Sequence, residues 1–344
     1  MSFILSLINH HKKGNSGFAI YRWPNESDLH YHAGIHNNDA EAGFPFVTFD
    51  PASDKSLFLQ EDRKLTGQSL TELFNQLNIV ESSDLPLGAT SELDTSKQTY
   101  IDGFNTIQTD IKEGVIQKAI LSRKKTASFD LLKLDDLFTK TLSSHPSAMV
   151  YCFYHPTSGL WIGASPELIV RQQGKQFKTT SLAGTKSAEE TAWGQKELDE
   201  QKIVTNFIIN NLNSINSKYT LGDLKTVKAG NIYHLKQLIE FELTQGKLLD
   251  VVNRLHPTPA IGGHPKKAAY STIKKAEQHD REYYCGYLGE VNSENSRLYV
   301  NLRCIKVYDN QIQIFVGGGI TTDSQLEDEW TECERKSEGF TSLL

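Results

Sequence analysis

Apolar residues along this chain change their spacing several times, and each change marks a predicted element. The opening stretch MSFILSLINHHKK puts an apolar patch ahead of its positive charges, which predicts an amphipathic first helix rather than a signal peptide. Through residues 1–80, Gly, Asn and Asp turns separate short mixed segments such as residues 43–49, GFPFVTF. Residues 81–98 turn Ser, Asp, Thr, Pro and Gly-rich and read as a loop. Tyr100, Phe104, Ile107 and Ile111 then recur at helical spacing, with Gly114 placed to end that helix. Residues 115–123 predict a strand, in which positions 116, 118 and 120 share one face. Further strands are predicted in AMVYCFYH, in LWIGASPELIVRQQGKQFKTT with a turn at Gly174, and in RLYVNLRCIKVYDNQIQIFVGGG. Helical spacing covers 188–215, 266–280 and 325–341. Adjacent strand runs with helices between the groups argue for an α+β fold with largely antiparallel sheets.

The length, 344 residues, allows one large domain or two ordinary ones. Hydrophobic residues at 38%, charged residues at 23% and a mean hydropathy of −0.43 describe a soluble chain with ample core. A net charge of −6 without a basic tract argues against nucleic acid as a partner, and no apolar run reaches the ~18 residues that span a bilayer. Neither observation argues against an anionic small molecule. The four cysteines are scattered without CxxC spacing, so the expectation is a reduced, cytoplasmic protein with buried thiols.

Several residues have chemistry that their surroundings could sharpen. Lys118 shares a strand face with Ile116 and Ile120, and an ammonium emerging from apolar neighbours is a plausible general base. A lysine facing water from an edge strand has the same local signature. Glu167 follows a Gly-Ala-Ser-Pro turn and leads into Leu168, Ile169 and Val170, so it is either a general acid at a buried strand mouth or a turn residue capping amides. Glu200 shares a helical stripe with Ile203, Val204, Phe207 and Ile208, with Glu197 one turn before it. In the last helix Glu329, Glu332, Cys333, Lys336 and Phe340 repeat the pattern. Carboxylates from two helices without histidine partners suit a hard cation such as Mg2+, although Glu332 and Lys336 alone could be a solvated i,i+4 pair. Gly184-Thr185 and Gly317-Gly318-Gly319 offer backbone donors, or are simply turns. Arg303 could hold a carboxylate bidentately, whereas His234 could be an ordinary core or surface histidine. No HExxH, GxSxG or phosphate-loop pattern is present.

Taken in order, Lys118 in IQKAILSR, GASPE at 163–167, LAGT at 182–185, LHPTPAIGG at 255–263, Leu302-Arg303, GGGI at 317–320 and EWTECERK at 329–336 resemble the chorismate-utilising enzymes. That family contains isochorismate, salicylate, anthranilate and aminodeoxychorismate synthases, and the resemblance covers residues 98–344. It implies a single large chorismate-binding domain of two stacked sheets flanked by helices, to which residues 1–97 add sheet and helix but no motif. It also implies that Lys118 activates water and Glu167 protonates the departing 4-hydroxyl. Glu200 and Glu332 would hold Mg2+, with Glu329 and Glu197 as secondary ligands. Gly184, Thr185, His234, Tyr284, Arg303, Gly317, Gly319 and Lys336 would contact the substrate.

Ala183 stands where similar aminodeoxychorismate synthases carry a nucleophilic lysine, and Lys118 where anthranilate-type synthases usually have glutamine. His256-Pro257-Thr258-Pro259-Ala260 is similar to the isochorismate and salicylate branch. Gln201 and Gly318 depart from a common histidine and alanine without removing a needed group. The resemblance therefore implies isochorismate formation, an isomerisation, for menaquinone or siderophore synthesis, without an obligatory glutamine amidotransferase subunit. Salicylate synthesis is the alternative; an amine-forming synthase component or a non-catalytic chorismate binder stands further off.

Overall fold

A computed structural model describes residues 2–50, 52–80, 87–90, 93–186, 192–229, 232–243 and 247–344, without the side chains of residues 185, 229 and 232. Its strands form two sheets, and among the described residues every pairing between them is antiparallel. The nine-stranded sheet runs Gly263–His264, Lys118–Ser128, Gln311–Ile320, Cys304–Val307, Gly159–Ser165, Met149–His155, Gly17–Arg22, Leu29–Gly34 and Arg63–Gly67. The eight-stranded sheet runs Lys218–Ala229, Ile232–Glu242, Gln176–Lys186, Leu168–Gln173, Asn295–Val300, Tyr287–Glu290, Gly43–Val47 and Leu57–Gln60. Strands from the first 80 residues thus enter both sheets.

The core lies between the sheets and is rich in rings. Phe46 of the eight-stranded sheet stacks 4.2 Å from Phe153 of the nine-stranded one, and equally close to Tyr283. Trp161 packs on Phe315 at 5.1 Å. Such pairs contribute about 0.5–1.5 kcal/mol each beyond their area.

Two neighbouring chain segments cross from one sheet to the other. Gly159–Ser165 leaves the nine-stranded sheet and re-enters the other as Leu168–Gln173, so Pro166 and Glu167 form the crossing. Beside it, Asn295–Val300 crosses back through Asn301–Arg303 to Cys304–Val307. The crossings are tied together: Val300 N–H donates to the Glu167 carbonyl at 3.0 Å, and Ala164 N–H to that of Arg303 at 3.0 Å. Arg303 sits there at φ 47°, a left-handed conformation that costs a non-glycine residue energy and persists only where its surroundings impose it.

The stripe at Tyr100, Phe104, Ile107 and Ile111 forms the buried face of helix Lys97–Lys112. Ser96 caps its start, and Gly114 at φ 73° ends it as a left-handed C′ residue. The helix lies close to Lys266–Ala276: a Cβ on Gly103 would stand 2.8 Å from the Ala276 carbonyl oxygen.

Other elements differ from their expected form. The first helix, Phe3–Gly14, buries residues 3–8 without a gap, because the chain covers it on all sides rather than along one stripe. The strand expected at 115–123 runs Lys118–Ser128, its lysine-rich second half paired throughout with Gln311–Ile320. The helix expected over 188–215 runs Gln195–Ser214 from an N-cap at Gly194; residues 188–191 lie outside the described residues. In the stretch expected to be a loop, the described residues are fixed to the sheet: Thr95 N–H donates to the Lys124 carbonyl at 2.9 Å, and Thr126 N–H to Asp94 at 2.7 Å.

Candidate active site

The crossings, the glycine run and the helices Gln195–Ser214 and Leu326–Thr341 surround a cleft whose empty volume, mouth included, is about 900 Å³. Lys118, Glu167, Gly184, Glu200, His234, Tyr284, Arg303, Gly317, Gly319, Glu332 and Lys336 all line it. Residues separate in sequence therefore converge on one space. The side chain of Thr185 lies outside the described residues.

Lys118 is not on an edge. Its strand lies between Gly263–His264 and Gln311–Ile320, and its side chain is only 3% exposed. Ile120 accompanies it into the cleft, whereas Ile116 is buried ahead of the strand. A Cβ on Gly319 would stand 2.8 Å from Lys118 Cε, so the glycine leaves the lysine its path. The ammonium ends 3.5 Å from a Glu200 carboxylate oxygen.

Glu167 is 3% exposed. Burial pushes its carboxyl up to about 8, against the Lys118 charge and the Thr258 hydroxyl, which both favour the anion. At neutral pH it is therefore mainly a protonated acid.

Two further cations, Arg303 and Lys336, line the cleft. Burial draws the Arg303 guanidinium down to about 10, which leaves it charged at pH 7. His234 falls to about 4 through burial first and the Arg303 charge second, so it is neutral. Its Nδ1 lies 2.8 Å from the Gly184 carbonyl, which can only accept, so Nδ1 carries the proton and Nε2 faces Arg303 at 3.4 Å. Gly184 holds φ 71° with Glu197 Cβ 3.0 Å from where its own Cβ would be, so conformation and space both select glycine. Lys336 bonds Glu332 at 2.6 Å and donates to the Gly317 carbonyl at 2.8 Å, tying the last helix to the glycine strand. Gly317 itself makes room for the Tyr284 hydroxyl, 3.0 Å from a hypothetical Cβ.

The four glutamates divide. Glu200 and Glu332 face the cleft, one from each helix. Burial alone would raise the Glu332 carboxyl, but Lys336 foremost, with Lys196 and His234, holds it below the usual range. Glu329 does not line the cleft: it is 2% exposed behind Gly318, bonded by Ser324 at 2.7 Å and Lys196 at 2.9 Å. Glu197, third residue of its helix, turns its carboxylate back to Gly194, where a Cβ would come within 2.6 Å of it. That is a helix-start position, where an anion meets unpaired amides.

Sequence reasoning missed the support beneath Lys118. Arg281 and Glu277, 3% and 4% exposed, form a bidentate pair at 2.6 and 2.8 Å. Arg281 donates to the carbonyls of Ile120 at 2.7 Å and Ile261 at 3.0 Å, and Glu277 accepts the Ser122 N–H at 2.7 Å. The pair locks the Lys118 strand to the segment at Ile261. Its i,i+4 spacing was visible in sequence, its burial was not.

A profile of the chorismate binding enzyme family matches residues 37–342. The chain is 27% identical over 311 residues to the isochorismate synthase EntC of Escherichia coli K12, spanning 83% of this chain and 76% of that protein. It is 30% identical over 253 residues to the isochorismate synthase MenF of Pasteurella multocida, spanning 68% of this chain but 58% of that one. The solved structure of E. coli MenF, a menaquinone-specific isochorismate synthase, superposes with a TM-score of 0.79 at 20% identity, over 95% of this chain and 88% of that one. Anthranilate synthase component I of Streptococcus pneumoniae follows at 0.73 and 18%, over 94% and 90%. These two structures speak to the fold. With a family profile covering nearly the whole chain, and with its expected motif residues lining one cleft, the chain belongs to the chorismate binding enzymes.

Proposed function

We propose that this chain is an isochorismate synthase, moving a hydroxyl on chorismate. The observation that carries the reading is that a buried lysine, Lys118, and a buried carboxyl, Glu167, whose proton is held more tightly by burial, line one cleft. Lys118, in its free-amine form, takes a proton from the water that attacks C2 of chorismate. Glu167 gives its proton to the 4-hydroxyl, which leaves as water while the ring double bonds shift. One water is consumed and one released, so the net reaction is an isomerisation. Arg303 and Lys336 supply the positive charges that hold the substrate's carboxylates. Ala183, at the cleft wall, offers no amine for a covalent route.

The residues present fit Mg2+. Among the described residues no three histidine, cysteine or acidic side chains cluster as a complete ligand cage. Two carboxylates from separate helices, Glu200 and Glu332, are the kind of oxygen donors such an ion would use together with water and an anionic substrate. Glu200 and Glu332 would hold it, and it would neutralise the ring carboxylate. The chain works in this reading without an amidotransferase subunit, in the cytoplasm, where its four free, buried cysteines stay reduced. No helix among the described residues is long and apolar enough to cross a membrane. Relatives named for menaquinone and for siderophore synthesis both support one of those pathways as the destination.

Incubation with chorismate and Mg2+, with products separated by chromatography, tests the proposal. Isochorismate is expected, with the same mixture approached from either side and no pyruvate. Salicylate with matching pyruvate would establish the lyase alternative. The Glu167 acid adds a pH signature. Its proton is present below about 8 and lost above, so forward kcat/KM should fall as pH rises through that value. A profile flat to pH 9.5 would remove Glu167 from the role of acid.

A further inference from the structure

Each cleft or near-cleft carboxylate discussed as a metal ligand, other than Glu197, has a lysine against it. Glu332 has Lys336 at 2.6 Å, Glu200 has Lys118 at 3.5 Å, and Glu329 has Lys196 at 2.9 Å. Lys118 and Lys336 line the cleft and have work in the proposed reaction; Lys196 does neither. It is the second residue of helix Gln195–Ser214, where a cation opposes the helix dipole, so its position is not explained by its own helix. What faces it is anionic. Burial works against its charge, but Glu329 first, then Glu200 and Glu332, outweighs that and holds the ammonium above the usual lysine range. Lys196 also precedes Glu200 by one helical turn, as Glu329 precedes Glu332. The ammonium is thus bonded to the buried Glu329 at 2.9 Å, one turn along its own helix from Glu200. The two partners differ in freedom: the Lys196 side chain is 34% exposed, that of Glu329 only 3%.

We propose that Lys196 is an internal counter-ion to the Glu200, Glu329 and Glu332 cluster, standing in for a divalent cation when none is bound and withdrawing toward solvent when one enters. The inference rests on the reading that Glu200 and Glu332 hold Mg2+. It gives the metal site a built-in competitor: a fixed positive charge lowers affinity for a dication, and keeps the like-charged carboxylates from repelling one another in its absence.

The test is Mg2+ titration calorimetry with parallel thermal melts, on the full chain stripped of divalent ions by a chelator. Wild type is compared with K196M, K196Q and K196R. K196Q keeps a hydrogen-bond donor for Glu329 and guards against a variant that fails to fold. K196M and K196Q are expected to bind Mg2+ at least tenfold tighter than wild type. They should melt lower without metal and regain most of that loss with saturating Mg2+; K196R should follow wild type in both. A purely structural lysine would lower the melting temperature equally with and without metal, and would not tighten binding. Equal or weaker Mg2+ binding by K196M and K196Q, beside measurable binding by wild type, overturns the role of Lys196 alone. No Mg2+ binding by any of the four proteins overturns both this inference and the metal reading beneath it.

Discussion

Lys118→Ala should abolish isochorismate formation, with kcat falling about 10²–10⁴-fold, the usual contribution of a positioned proton-transfer group. The Michaelis constant for chorismate should stay near the parent value, because the charges that hold its carboxylates come from Arg303 and Lys336, on other elements of the cleft. The lysine is 3% exposed and threads past Gly319. Steady-state kinetics decide the matter. Turnover within a few-fold of the parent would end the assignment of Lys118 as base, and a large rise in KM with kcat preserved would recast it as an anchor.

Glu332→Gln and Glu200→Gln should each raise the Mg2+ concentration for half-maximal activity by at least tenfold, or leave no activity to titrate. In the proposed metal site, either change removes one of the two carboxylates that would hold the ion. The variants should also differ from each other. Glu332→Gln strands Lys336, whose ammonium lies 2.6 Å from the lost charge and also holds Gly317, so chorismate binding should weaken as well. Glu200→Gln releases Lys118 from a looser 3.5 Å contact and should act mainly through the metal. A Mg2+ titration indistinguishable from the parent's would make that glutamate an ordinary helix residue.

Much of this was legible in the sequence, for uneven reasons. The Tyr100 to Ile111 stripe with its terminal Gly114 was readable because a helix on a sheet needs one apolar face and a stop. The pair of strands Lys218–Ala229 and Ile232–Glu242 was missed except at His234, because interspersed polar residues leave them no continuous apolar face. Strand order was not readable at all. Gly17–Arg22 lies between Leu29–Gly34 and Met149–His155, a long-range pairing that no local periodicity encodes. At the site, residue types in order pointed to side chains that converge on one cleft. Which carboxylates face it was hidden, since a helical stripe gives a side of the helix and not what lies opposite. Glu329 shares the stripe of Glu332, yet Ser324 and Lys196 enclose it.

The long ladder between Lys118–Ser128 and Gln311–Ile320 joins residue 119 to residue 320. During synthesis the Lys118 strand therefore emerges well before its partner, a wait on the order of ten seconds or more at ~5–20 residues per second. Throughout that wait it is an open sheet edge, the kind that recruits strands from other chains. Arg123, Lys124 and Lys125 lie in the middle of that edge, and consecutive positive charges discourage such pairing. In the finished protein, Glu334 of the last helix neutralises two of them, at 2.6 and 2.7 Å. The charges in the middle of this strand would thus protect the newborn chain from aggregation until its own C-terminal region arrives to discharge them.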